Sequence, residues 1–149
     1  KEISFPQSLG LLLENPAFID DYSAFDNLKL LASIKGKATD EKILDSIERV
    51  GLSSAGKKKY KKYSLGMKQR LGIAAAIMEA PDIIILDEPT NSLDDSGVEL
   101  VKDIVTEEKN RGALIIVSCH DKSVLEFLSD EIYTITDGQI TDHTVMKKE

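Results

Sequence analysis

The run Ile83-Ile84-Ile85-Leu86 constrains this chain more than any other stretch. Pro81 stops whatever helix precedes it. Four apolar residues in a row, with a proline before them and carboxylates after, read as a central strand of a parallel sheet. Asp87 and Glu88 then stand at the C-terminal end of that strand, where open α/β sheets place their ligands. Two adjacent carboxylates at that edge suit phosphoryl transfer. One can hold Mg²⁺, directly or through water, and the other can orient or deprotonate an attacking water.

Just upstream, Tyr63-Ser64-Leu65-Gly66-Met67-Lys68-Gln69-Arg70 opens an alanine-rich helix, Leu71 to Glu79. Ser64 is a good N-cap residue and Gly66 keeps the turn unencumbered. A helix start of this kind is a ready phosphate-binding site. The helix behind it is mostly Ala, Ile, Leu and Met, so it is expected to be buried on most sides.

With 149 residues the chain is expected to form one domain with a real core. Its net charge of −7 argues against a duplex nucleic-acid binder, which normally shows a basic face. A single cysteine, Cys119, excludes a disulfide framework and fits a reducing compartment. No apolar run approaches the about 18 residues that span a bilayer, and no signal peptide is visible. The sequence opens on Lys1 rather than methionine, and its residues are not taken to start where the gene does.

Taken in order, Leu9 to Leu13 reads as a strand ending at Glu14-Asn15-Pro16, with Lys1 to Phe5 either a further strand or a lead-in. Phe25, Leu28, Leu31 and Ile34 recur at helical spacing, and Gly36 can close that helix. Thr39 caps the next helix, with Ile43, Ile47 and Val50 on one face and Gly51 as its end. The apolar faces of both helices are expected to form core. Lys57, Lys58, Lys59, Lys61 and Lys62, interleaved with Tyr60 and Tyr63, make the one basic cluster. It reads equally as a solvated loop or as a docking surface, with nucleic acid the weakest alternative. After Asp94 a helix running to about Asn110 presents Val98, Val101, Ile104 and Val105 to the core, and Gly112 stops it. Ala113 to Val117 is the next buried strand, and it delivers Ser118-Cys119-His120-Asp121 to the edge that carries Asp87 and Glu88. Cys119 reads as a small packed residue. Lys122 to Leu128 is a short helix, and Ile132 to Thr136 with Gln139 to Thr141 form a hairpin around Asp137-Gly138. The remaining tail, including His143, is read as frayed and without a role.

Four stretches in this order, YSLGMKQR, IIILDEP, NSLD and SCHD, resemble the ATP-binding cassette (ABC) ATPases. They correspond to the signature motif, the Walker B strand, the D-loop and the switch histidine. The form SLGMKQRLGIA is most similar to the ATP-binding subunits of bacitracin- and lantibiotic-type exporters. The resemblance implies an α/β fold of the P-loop NTPase type, a mostly parallel sheet with a helical signature subdomain at about residues 20–80. Residues 1–19 and 81–149 would form the sheet-containing core.

It further implies ATP and Mg²⁺ as cofactors, with Asp87 placing the metal and Glu88 acting on the water. His120 would contact the γ-phosphate. Glu14 takes the place of the Q-loop glutamine that meets Mg²⁺, although a plain surface carboxylate is the competing reading. Two cassettes would close head to tail, with Ser64, Leu65, Gly66 and Met67 binding the partner's γ-phosphate and Asp94 linking the two sites. Leu65 stands where the family often has glycine and Met67 where it often has glutamine, which shifts that contact toward backbone amides. The lysine loop would approach the coupling helix of a membrane permease subunit or anionic headgroups, each lysine there worth about 1 kcal/mol. The protein would then be cytoplasmic, peripheral on the inner face of the cell membrane.

No G-x-x-x-x-G-K-S/T phosphate loop occurs in these residues. The resemblance implies that it lies upstream of Leu9, that this chain matches roughly the last two-thirds of a nucleotide-binding domain, and that the fragment alone is inactive. Apolar surface that the missing strands would cover is expected to be exposed. A soluble ABC-type ATPase of the translation or DNA-repair class and an inactive docking or dimerisation module are the other readings.

Overall fold

A computed structural model describes residues 8–14 and 16–146 of the chain; the expectation for Lys1 to Phe5 lies outside them. Strand β1 (Leu9–Leu12) is followed by helices α1 (Ala24–Lys35) and α2 (Asp40–Arg49), two short 3₁₀ turns and helix α3 (Leu65–Ile77). Then come β2 (Ile83–Asp87), α4 (Asp95–Asn110), β3 (Leu114–Ser118), α5 (Lys122–Leu128), β4 (Glu131–Thr136) and β5 (Gln139–Val145). β1, β2 and β3 form a parallel sheet in that order, with β2 central, and β4 and β5 form a separate antiparallel ladder.

Each helix starts where the sequence supplies a cap. Ser23 and Asp26 form a capping box on α1, and Thr39, Ser64, Asp94 and Asp121 cap α2, α3, α4 and α5 through their side-chain oxygens. α3 packs on β1 and β2, burying Leu71, Ile73, Ala74, Ala76 and Ile77 against Leu12, Ile84 and Leu86. Gly10 and Gly72 make this possible. A Cβ on Gly10 would lie 1.9 Å from the Ala76 carbonyl oxygen, and one on Gly72 would lie 2.6 Å from Leu12 Cδ1.

Three expectations are corrected. α1 buries Ala24, Leu28 and Ala32, while Leu31 is exposed and Ile34 is 77% exposed. The buried stripe advances four residues at a time along one face, so Leu31 and Ile34 fall on its flank. Asn27 shares the buried face, bonded to Ile19 and Ser23.

β3 is not a buried strand: Leu114 and Ile116 are 58% and 51% exposed. They lie on the sheet face turned away from α3, together with the exposed Leu9 and Leu11. No described element covers that face, and the expected exposure of apolar surface is seen there.

The tail after Thr141 is ordered in β5. Tyr133 stacks flat on His143 at 4.3 Å, and Glu131 accepts from the Tyr133 hydroxyl at 2.7 Å and pairs with His143 Nε2 at 2.9 Å. These cross-strand contacts hold the ladder out to Val145 and give His143 a structural role.

The tyrosines of the lysine cluster are core residues rather than surface aromatics. Tyr60 donates to the Pro16 carbonyl at 2.7 Å and meets Phe18 edge-on, and Tyr63 is buried beside it. Lys59 and Lys61 reach Asp21, whose carboxyl is held below its ordinary range chiefly by the hydrogen bond from Lys61. Burial of both tyrosines removes the stacking surfaces that the nucleic-acid alternative required.

α2 is tied to α4 by one buried carboxylate. Glu108, 3% exposed, accepts from Arg49 at 2.8 Å and from Arg111 at 2.7 Å, and Arg111 also donates to the Pro81 carbonyl. Replacing Glu108 with Ala leaves Arg49 with the exposed Glu107 and Arg111 with the Pro81 carbonyl, and the loss of two charged hydrogen bonds is expected to cost about 2 kcal/mol. Urea denaturation would read this as a lower midpoint at unchanged slope.

Candidate functional site

The parallel sheet sets the site. Asp87 ends β2 opposite Ser118, which ends β3, and Glu14 lies two residues beyond Leu12, the partner of Leu86. All three therefore emerge at the C-terminal edge, where ligands of open α/β sheets collect. The Ser118 hydroxyl donates to Asp87. Glu88 leaves the strand with φ of 49°, a left-handed conformation uncommon for a residue with a side chain. Its amide donates to the Ser118 carbonyl at 2.9 Å, and its own carbonyl accepts from the Asn91 amide at 3.1 Å. The turn directs the Glu88 carboxylate to His120, with Oε2 and Nδ1 2.8 Å apart. The His120 side chain is 76% exposed, open to a ligand on its outer side.

The expected phosphate-binding turn has the local geometry its sequence calls for. Ser64 Oγ accepts from the Met67 amide at 3.2 Å. Gly66 does more than leave the turn open, since a Cβ there would sit 2.8 Å from the Ser92 carbonyl oxygen. Met67 is approached by Lys58, with 3.9 Å between Nζ and Sδ. Asp94 accepts from the Gly97 amide at 2.9 Å and the Ser96 hydroxyl at 3.0 Å, and Arg70 lies 3.5 Å away. The turn at Ser64 thus packs on the segment 91–94 and not on the Glu88–His120 pair. Glu14 and Leu65 share a cleft with Lys68, Gln69, Asn91 and Ser92, and neither Glu88 nor His120 lines it. Cys119 is half-buried, its sulfur 3.8 Å from Thr90 Oγ1.

Among the described residues no group of three His, Cys, Asp or Glu side chains converges as a metal cage. Mg²⁺ needs none when a nucleotide is bound, because one or two carboxylates, waters and substrate phosphates complete its shell. Asp87, fixed by Ser118 at the ligand edge, fits that sparser arrangement.

Sequence reasoning did not single out Gln69, Arg70 or Ser118. Gln69 is 4% exposed, and its side-chain amide donates to the Glu88 carbonyl at 2.9 Å. The signal was present in its position. Gln69 precedes Ile73 and Ala76 on the buried stripe of α3, and a buried amide requires a partner.

The arrangement is a nucleotide-type α/β fold with a carboxylate and a histidine paired at the ligand edge. Residues 1–91 match the ABC transporter family. The chain is 49% identical over 151 residues to the uncharacterized ABC transporter ATP-binding protein YybJ of Bacillus subtilis, covering all of this chain and 69% of that protein. It is 39% identical to the lantibiotic transport ATP-binding protein SrtF of Streptococcus pyogenes, covering 90% of this chain and 58% of SrtF. It is 36% identical to the bacitracin transport ATP-binding protein BcrA of Enterococcus faecalis, covering 90% of this chain and 44% of BcrA. Its fold matches the dimeric bacterial ABC transporter cassette MJ0796 with a TM-score of 0.86 at 23% identity, over 95% of this chain and 64% of that one. The chain belongs to the ABC transporter family. It spans about half to two-thirds of the length of these relatives.

Two measurements check the local geometry. Gly66→Ala should push the turn off the Ser92 carbonyl and speed hydrogen exchange in residues 91–97, leaving α1 and α2 unchanged. The Asp94 carboxyl is held below its ordinary value, first by the Gly97 amide and then by the Ser96 hydroxyl. Its contribution to α4 is therefore complete above the unfolded value and lost as pH falls through the lower folded one. An NMR titration should find Asp94 ionised under conditions that protonate an ordinary aspartate, and Ser96→Ala should raise its midpoint.

Proposed function

We propose that this chain is the catalytic part of an ABC transporter ATP-binding subunit that hydrolyses ATP to drive export of an antimicrobial peptide or drug. The observation that carries the proposal is the Glu88–His120 pair, 2.8 Å apart at the ligand edge of a parallel sheet in a chain of this family. The named transport roles of SrtF and BcrA support the class of cargo. The partners in this reading are a second cassette, closing head to tail, and a separate membrane permease. No described helix is long and apolar enough to cross a membrane, and the subunit would sit on the cytoplasmic face. Residues 20–80 act as the signature subdomain, with 1–19 and 81–149 as the sheet-containing part.

Position and chemistry support the residue roles that the family resemblance implies. Glu88 accepts a hydrogen bond from the attacking water and takes up its proton as the oxygen bonds to the γ-phosphorus and the bond to the β,γ-bridging oxygen breaks. The products are ADP and inorganic phosphate. His120 holds the Glu88 carboxylate and offers its exposed ring edge to the γ-phosphate. Asp87 would hold Mg²⁺, with Glu14 as a second carboxylate at the same edge, and the ion when bound offsets charge on the β- and γ-phosphates. The Ser64 turn presents its hydroxyl and the helix-start amides of Leu65 and Gly66 to the γ-phosphate of the partner's nucleotide, with Met67, whose amide Ser64 Oγ holds, beside them. Asp94, which caps α4 and meets Arg70, links the two sites.

In the full-length protein, Glu88→Gln is expected to lower turnover by about 10²–10⁴-fold while Mg-ATP still binds. Steady-state phosphate release and a separate nucleotide-binding measurement check this. Undiminished turnover would remove Glu88 from the mechanism.

A further inference from the structure

We propose that Gln69 is a positioning residue for Glu88, linking the orientation of helix α3 to that of the carboxylate that acts on water. This rests on the assignment of Glu88 given above. The Gln69 side chain is 4% exposed, and its amide donates to the Glu88 main-chain carbonyl at 2.9 Å. That carbonyl belongs to a residue at φ of 49°, a conformation that a residue with a side chain keeps only where its surroundings hold it. The opposite side of the same residue is fixed to β3 by the Glu88 amide and the Ser118 carbonyl, 2.9 Å apart. Glu88 is therefore held between the sheet and the second turn of α3, and its carboxylate meets His120.

Two further contacts make α3 a seat for the same loop. Gly66 lies against the Ser92 carbonyl, and Arg70 reaches Asp94. Of the three, the Gln69 contact is the one that touches Glu88 itself. α3 begins at the Ser64 turn, so a tilt of this helix on phosphate binding would move the Gln69 amide and with it the Glu88 carbonyl. Gln69 makes its hydrogen bond to the main chain of Glu88 and not to the carboxylate. It acts through the backbone of its neighbour.

The test uses the full-length protein and compares Gln69→Met, which keeps the length but loses the donor, with Glu88→Gln and with the double variant. Gln69→Met should lower kcat by about ten-fold or more with KM for ATP almost unchanged. In the Glu88→Gln background it should lower the residual rate no further, because its effect passes through Glu88. An unchanged kcat, or losses that multiply in the double variant, would overturn the proposal. Full turnover in Glu88→Gln alone would instead refute the assignment of Glu88.

Gln69→Glu supplies a readout that does not depend on Gln69→Met folding. Its carboxyl can donate to the Glu88 carbonyl only when protonated. Its kcat relative to the unaltered protein should therefore rise as pH is lowered, and a ratio independent of pH would overturn the proposal.

Discussion

Helix α3 and strand β1 approach more closely than two ordinary side chains permit, and the arrangement of the sheet edge follows from that contact. Gly10 yields its place to the Ala76 carbonyl, and Gly72 yields its place to Leu12 and Pro16. Glycine in a strand or helix interior costs about 0.5–1 kcal/mol relative to alanine, so the loss must be offset by what the close approach buries. Here that is the apolar run of α3 against Leu12, Ile84 and Leu86. With the helix held this near the sheet, its first two turns arrive beside the loop that leaves β2.

That proximity explains how Glu88 keeps an unfavourable backbone conformation. A residue with a side chain in the left-handed region carries a strain of about 1–3 kcal/mol and persists where its surroundings over-determine it. The Glu88 amide is taken by Ser118 and its carbonyl by Asn91 and Gln69, so both polar groups are bonded from different elements. Strain and hydrogen bonds together aim the carboxylate at His120. The site is thus a product of three chain segments, and none of them makes it alone.

The two faces of the sheet differ in the same physical terms. One is sealed by α3, whereas Leu9, Leu11, Leu114 and Ile116 line an open apolar face, although parallel sheets usually have both faces covered. The hairpin of β4 and β5 is likewise held mainly by its own contacts, the Tyr133–His143 stack and the shared Glu131 carboxylate.

The sequence by itself determined the α/β class, the caps at Thr39 and Ser64, the strand at Ile83–Leu86, and the meeting of Glu88 with His120 at one edge. These are local signals: a capping oxygen, an unbroken apolar run, a carboxylate directly after a strand. Burial was a different matter. Leu31, Ile34 and Leu114 look like core residues by periodicity, yet whether an apolar side chain is covered depends on which element lies opposite it. Only the tertiary structure decided that Tyr60 and Tyr63 are interior, that His143 closes a ladder, and that Gln69 reaches Glu88. Each depends on residues 10 to 44 positions apart in the chain, brought together by packing that no short window of sequence contains.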